Sequence, residues 1–186
     1  MSAMAAGLLL IRLVVGLLFM AHGLQKLLGW FGGAGLLGTA SMFDRGGLSP
    51  GRVTAPLGGA TEFGGGLSLA LGLLTPLGAI AVMVMMAGAV IAVHGKNGLW
   101  NTNGGFEFNL VLGAVALTLT LTGPGRWSLD HLAGVQLFGW WWALTAVVVT
   151  VIAAVVELAL IRANRVEEAR ATQPLTSTEH RDRHVV

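Results

Sequence analysis

Six side chains in this sequence are of the types needed to hold and protonate a polar ligand inside lipid: His22, Gln25, Lys26, Glu62, His94 and Glu107. Imidazole and carboxylate exchange protons, and ammonium and amide groups donate hydrogen bonds. In LFMAHGLQKLLGW, Gln25 and Lys26 follow His22 by three and four residues, a spacing that places all three on one helix face. Such a set suits a quinone headgroup, whose carbonyls accept hydrogen bonds and whose reduction consumes protons. Arg12 and Asp130 form a second combination, expected as a structural ion pair because Asp130 is the nearest acidic group on that side of the chain.

The elements that must position these groups are membrane helices. With 54% hydrophobic and 11% charged residues and a mean hydropathy of +0.75, the composition is that of a chain in a bilayer. Five apolar runs are each long enough to cross most or all of a hydrocarbon core about 30 Å thick. They are Leu8 to Leu28, Leu57 to Leu74, Leu77 to Val93, Phe106 to Thr122 and Leu137 to Ile161. Thr75 and Pro76 separate the second run from the third, which predicts a tight helical hairpin. The first run lacks the basic leader of a secretion signal and is expected to stay in the mature protein. All six tryptophans fall near predicted span ends, where amphipathic rings favour the headgroup level. The chain has no cysteine, so no thiolate nucleophile, disulfide relay or iron–sulfur ligation is available to it.

Charge in the short loops predicts orientation. Lys26, Arg45, Arg52, Lys96, Arg162, Arg165 and Arg170 collect on one side of a five-span arrangement and Arg126 alone on the other. The first side is then cytoplasmic, with the amino terminus outside and the carboxy terminus inside. No nucleic-acid motif accompanies the basic balance. After Ile161 the sequence RANRVEEARATQPLTSTEHRDRHVV is expected to extend the last helix briefly and then to be disordered. His180 and His184 read as part of that solvated tail.

This topology brings His22, Glu62, His94 and Glu107 toward one membrane face, one from each of four helices. His22 lies six residues before the end of its run and Glu62 five after the start of its own, about 8–9 Å inside the boundary. The order "helix ending in His-Gly, loop, Gly-Gly, Glu-Phe" occurs twice, in AHGLQK with GGATEF and in AVHGKN with GGFEF. That echo predicts a parallel repeat with the site at its interface.

Plainer roles compete at each position. Lys26 and Glu157 are placed to snorkel to headgroups, and His94 and Glu107 lie near a hydrated rim. Glu62 must face the bundle and find a partner, for which His22 is the natural candidate, yet the pair could serve only as interhelical glue. Asp130 could cap the helix that follows it. Gly64, Ser68 and Gly72 form a small-residue stripe expected to let helices approach closely.

The succession RLVVGLLFMAHGLQK, EFGGGLSLALGLLTP, a histidine after the third span, FEFNLVLGAVAL and GPGRWSLD is similar to the bacterial DoxX family of small membrane proteins, over about two thirds of the chain. The resemblance implies a four-helix membrane domain in the bacterial plasma membrane, associated with oxidoreductase and quinone-linked systems or oxidative-stress complexes. Arg12, His22, Lys26, Glu62, His94, Glu107 and Asp130 match the family's polar pattern. The expected architecture is an all-α membrane protein: a DoxX-like four-helix transmembrane domain (residues 1–132), a fifth transmembrane helix (133–161) and a polar tail (162–186). The fifth helix and tail depart from the family form.

Three functions fit these observations. The preferred one is a redox-associated subunit with a buried His/Glu site near the cytoplasmic face, binding a quinone headgroup and taking electrons from a protein partner; the chain carries no dinucleotide fingerprint of its own. A non-catalytic scaffold or anchor for a redox or oxidative-stress complex is the second, and a small-molecule or proton-coupled transporter the third. Two histidines and two carboxylates also suit a transition metal, but the Glu-x-x-His spacing of di-iron bundles is absent, and haem ligation by His22 and His94 is weakly signalled. No metal is assigned. No residue is assigned a catalytic step, and a homo-oligomer is allowed.

Overall fold

The computed structural model describes residues 3–172; the expectations for His180, His184 and the disordered tail lie outside the described residues. Among the described residues seven α-helices follow one another: α1 (Ala3–Leu28), α2 (Gly35–Arg45), α3 (Gly51–Leu71), α4 (Thr75–Ala89), α5 (Glu107–Thr122), α6 (Leu129–Leu132) and α7 (Trp140–Ala171). No strand occurs among the described residues. A π-helical turn, Val90–His94, and a 3₁₀ turn, Gly95–Asn97, prolong α4.

Five long helices occupy the five apolar runs, but the number that meet the demands of a bilayer on length and apolarity is three: α1, α4 with its continuation to Asn97, and α7. α5 is apolar but has 16 residues, roughly 24 Å. α3 has the length, at 21 residues, but six of them are glycine and Thr54, Thr61, Glu62 and Ser68 dilute it further. The molecule is an all-α, multi-pass integral membrane protein. Leu10, Val14, Leu17, Leu110 and Val155 present exposed apolar surface outward, as side chains in lipid must.

The glycines of α3 have their own cause. Arg12, Gly16, Phe19 and Gly23 are buried along one stripe of α1, and Lys26 continues it. A Cβ on Gly16 would sit 2.6 Å from the Gly66 carbonyl oxygen, and one on Gly66 would sit 2.5 Å from that of Gly16. The two backbones therefore touch, which only glycine permits. This stripe makes the α1–α3 approach; of Gly64, Ser68 and Gly72, Gly64 faces open space, Ser68 meets α4 at Gly78, where a Cβ would come within 2.5 Å of its Oγ, and Gly72 ends α3 in the left-handed region at φ 62°. Val15, Phe19, Leu69, Val82, Leu112 and Leu119 fill the core between α1, α3, α4 and α5. α7 packs against α4 and α5 and buries little beyond Ala143, Ala146 and Ile161.

Two boundaries differ from the hydropathy reading. α3 begins at Gly51, not Leu57, because Asp44 accepts the Gly51 N–H at 2.6 Å and starts the helix within polar sequence. Glu62 is therefore eleven residues into α3 whereas Glu107 is the first residue of α5, so the two Gly-Gly and Glu-Phe echoes hold different registers. The stretch carrying Arg45, expected as a loop, is the amphipathic α2, packed on α3 and α1.

Candidate functional site

At one end of the bundle the α1 stripe finishes in Lys26, whose ammonium donates to Glu62 Oε1 in an ion pair. The Lys26 side chain is 20% exposed and that of Glu62 5%. Gly23 sets up this meeting, since a Cβ there would strike the Phe63 nitrogen at 2.6 Å. Glu62 thus pairs with Lys26 and not with His22. His22 precedes Gly23 and leaves the stripe facing α3; it is exposed and makes no hydrogen bond among the described residues. Lys26, expected to snorkel, turns inward.

His94 reaches the same place from α4. The π-turn inserts an extra residue per turn before it, a device that re-aims side chains at functional positions. Its Nδ1 lies 2.7 Å from the Gly104 carbonyl oxygen. A carbonyl only accepts, so Nδ1 carries the hydrogen of this bond.

Lys26, Glu62 and His94 form the wall between two cavities. The larger, about 420 Å³, is walled by Met42, Phe43, Leu48, Val84 and Met85, with Glu157 of α7 at its polar end. The smaller, about 240 Å³, adds His22, Asn101, Phe108 and Asn109. Glu62 Oε2 is buried and has no hydrogen-bond partner among the described residues. Among the described residues no three His, Asp or Glu side chains are disposed to hold a metal ion.

Of the six residues singled out by type, four line these cavities and two do not. Gln25 donates to the Phe31 carbonyl at 3.3 Å and ties down the turn after α1. Glu107 accepts the Asn101 N–H at 3.0 Å and closes the 98–107 loop.

The opposite end of the α1–α3 pair holds Arg12 and Asp130, each 1% exposed. They interact electrostatically across the α3–α4 turn, yet no direct salt bridge joins them among the described residues. Arg12 donates to the carbonyls of Leu69 (2.9 Å), Pro124 (2.6 Å), Trp127 (3.0 Å) and Ala70 (3.1 Å). Asp130 accepts from Leu74 N (2.7 Å), Thr75 N (3.0 Å) and Thr75 Oγ1 (2.7 Å). The cation thus closes the carboxyl end of α3 and the carboxylate opens α4, each matching the helix dipole. Asp130 caps α4 and not the helix that follows; Ser128 caps α6 by accepting the His131 N–H.

A family model, DoxX, matches residues 7–95. An uncharacterized membrane protein of Mycobacterium tuberculosis is 33% identical over 131 residues, 65% of this chain and 77% of the relative. The chain belongs to the DoxX family. No solved structure matches it. The DoxX segment contains the shared wall of Lys26, Glu62 and His94 and ends one residue after it, whereas Asn101, Asn109 and Glu157 lie beyond.

Those last three are what the sequence reading of this DoxX protein missed. Asn109, buried and bonded to Met86 Sδ at 3.4 Å, is a polar residue within the fourth apolar run, the same signal that selected Glu62. Glu157 was visible as an acid in an apolar helix but read as snorkelling. Its carboxylate instead lies against Gly88 of α4, where a Cβ would come within 2.6 Å of Oε2.

Proposed function

We propose that this protein is a redox-associated membrane subunit that binds the headgroup of a quinone-type amphiphile in the larger cavity. The observation that carries the reading is the construction of that cavity: apolar walls of Met42, Phe43, Leu48, Val84 and Met85 around a polar end of Lys26, Glu62, His94 and Glu157. Its volume, about 420 Å³, falls within the range of small-molecule sites, which combine apolar lining with a few convergent polar groups. A ring fits between the methionine and phenylalanine side chains, and its oxygen substituents meet the ammonium, carboxylate and imidazole. His94 and Glu62 supply proton-exchanging groups beside those oxygens. Electrons come from a partner protein.

Membership of the DoxX family supports the bacterial plasma membrane, and the distribution of Lys and Arg supports this end of the bundle facing the cytoplasm, with the amino terminus outside and the carboxy terminus inside. Enzymatic reporters fused to each terminus check it: activity on the same side from both would overturn the arrangement.

The binding test is direct. Purified protein in lipid nanodiscs, titrated with a short-chain quinone and its quinol, should show saturable binding of at least one form that is lost in Lys26→Ala. Absence of saturable binding by either form would refute the reading in favour of a scaffold.

A further inference from the structure

At the large cavity one buried carboxylate oxygen, Glu62 Oε2, lacks a hydrogen-bond donor among the described residues, and this selects the oxidation state of the headgroup. Resting on the reading above, we propose that the site binds the hydroxyl-bearing, reduced headgroup, a quinol, in preference to the carbonyl-bearing quinone.

Three of the groups at that end can be accounted for one by one. Lys26 Nζ has three hydrogens and gives one to Glu62 Oε1. Glu62 Oε2 receives none, although the residue is only 4% exposed and a buried carboxylate oxygen normally has a donor. His94 spends its Nδ1 hydrogen on the Gly104 carbonyl. The wall therefore presents a cationic donor beside one buried carboxylate oxygen that lacks a donor among the described residues.

A hydroxyl group answers both demands with one oxygen. It accepts from Lys26 Nζ and donates its own hydrogen to Glu62 Oε2, which reaches the cavity by rotation about the soft terminal torsion of the carboxylate. A quinone carbonyl accepts from Lys26 and can do nothing for Oε2. An acceptor left unpaired in a desolvated site discriminates strongly between ligands that differ only in an O–H. The same oxygen with a methyl in place of its hydrogen should behave like the carbonyl.

The experiment compares three ligands with the same ring and tail: the quinone, the quinol and the quinol dimethyl ether. Each is titrated anaerobically against the full chain in nanodiscs. The quinol should bind tighter than the quinone by roughly tenfold or more, and the ether no tighter than the quinone. Equal or tighter binding of the quinone, or an ether as tight as the quinol, overturns this inference and leaves the proposed function standing. Binding of none of the three defeats both. Glu62→Gln adds an independent reading. Its amide places a donor where the orphan acceptor was, so the preference should swing toward the quinone; an unchanged preference counts against the inference. Should that variant fail to fold, the three-ligand comparison on the unaltered protein decides alone.

Discussion

Arg12 and Lys26 stand fourteen residues apart on one stripe of α1, about 21 Å along the helix, and each lies beside a buried carboxylate. What separates the two ends is what remains unsatisfied. Arg12 spends its guanidinium on four backbone carbonyls and Asp130 accepts three hydrogen bonds, and neither lines any cavity described above. At the other end the Lys26–Glu62 pair leaves Oε2 without a donor and forms part of the walls of two cavities. Buried charge in a membrane bundle is therefore not one phenomenon. Where the charged atoms all find partners, mostly in the backbone, the charges splice helix ends together; where one is left over beside a void, they are arranged for something else.

Replacing Arg12 tests the structural end and should give the largest effect. Arg12→Leu strips the donors from carbonyls at the end of α3 and in the 124–127 loop and leaves Asp130 without its nearby cation. A cost of roughly 3–5 kcal/mol is expected, seen as a large fall in the detergent unfolding midpoint. If Arg12→Leu unfolds within error of the parent chain, the splice has no energetic content.

Next in size is the seam that joins the two ends. Gly66→Ala forces a Cβ against the Gly16 oxygen and the Met20 nitrogen, and overpacking of this kind costs about 1–3 kcal/mol. Because the seam continues through Gly23 to Lys26, quinol affinity should fall along with stability. Gly64→Ala, which meets open space, should change neither.

Glu62→Gln should cost less stability than Arg12→Leu, about 1–2 kcal/mol, because Lys26 is partly exposed and Oε2 bonds to nothing. Its effect should appear in ligand selectivity, measured in the same nanodisc titrations. A stability loss as large as that of Arg12→Leu, with binding unaltered, would make the two ends alike and collapse the distinction.

How much of this was legible depended on the physics each signal reports. Hydropathy reports lipid-facing surface, so the apolar runs located all five long helices, but it was blind to α2 and to the first six residues of α3, where polar sequence is held helical by Asp44 and by packing. Residue type and depth found Glu62, His94, Arg12 and Asp130. Pairing was not legible, since choosing Lys26 over His22 depends on which residue follows the glycine seam, and that seam needs the α1–α3 crossing to be known. Nor could spacing reveal that Asp130 caps α4, across an interval of 55 residues, or that a π-turn precedes His94.

The smallest effect belongs to a carboxylate at the cavity end that, unlike Glu62, is satisfied. Asp44 Oδ1 accepts from Ser49 Oγ at 2.7 Å and from the Gly51 N–H at 2.6 Å, and these bonds, the Ser49 one foremost, hold its carboxyl below the usual value of 3.8. They pin the end of α2, and with it Met42 and Phe43 of the cavity wall, to the start of α3. A carboxyl depressed on folding contributes stability that is complete above its unfolded pKa and is lost as pH falls through its folded one. The unfolding midpoint should therefore carry a contribution from Asp44 that is flat from neutral pH to about 4 and declines below. In Asp44→Asn that acid-side decline should be shallower, with a midpoint about one or two degrees lower at pH 7 and the two proteins converging in acid. Since Asp44 is exposed, the change in quinol affinity should be slight. A parallel pair of pH curves would show that the bonds seen at Asp44 do not stabilise the α2–α3 corner.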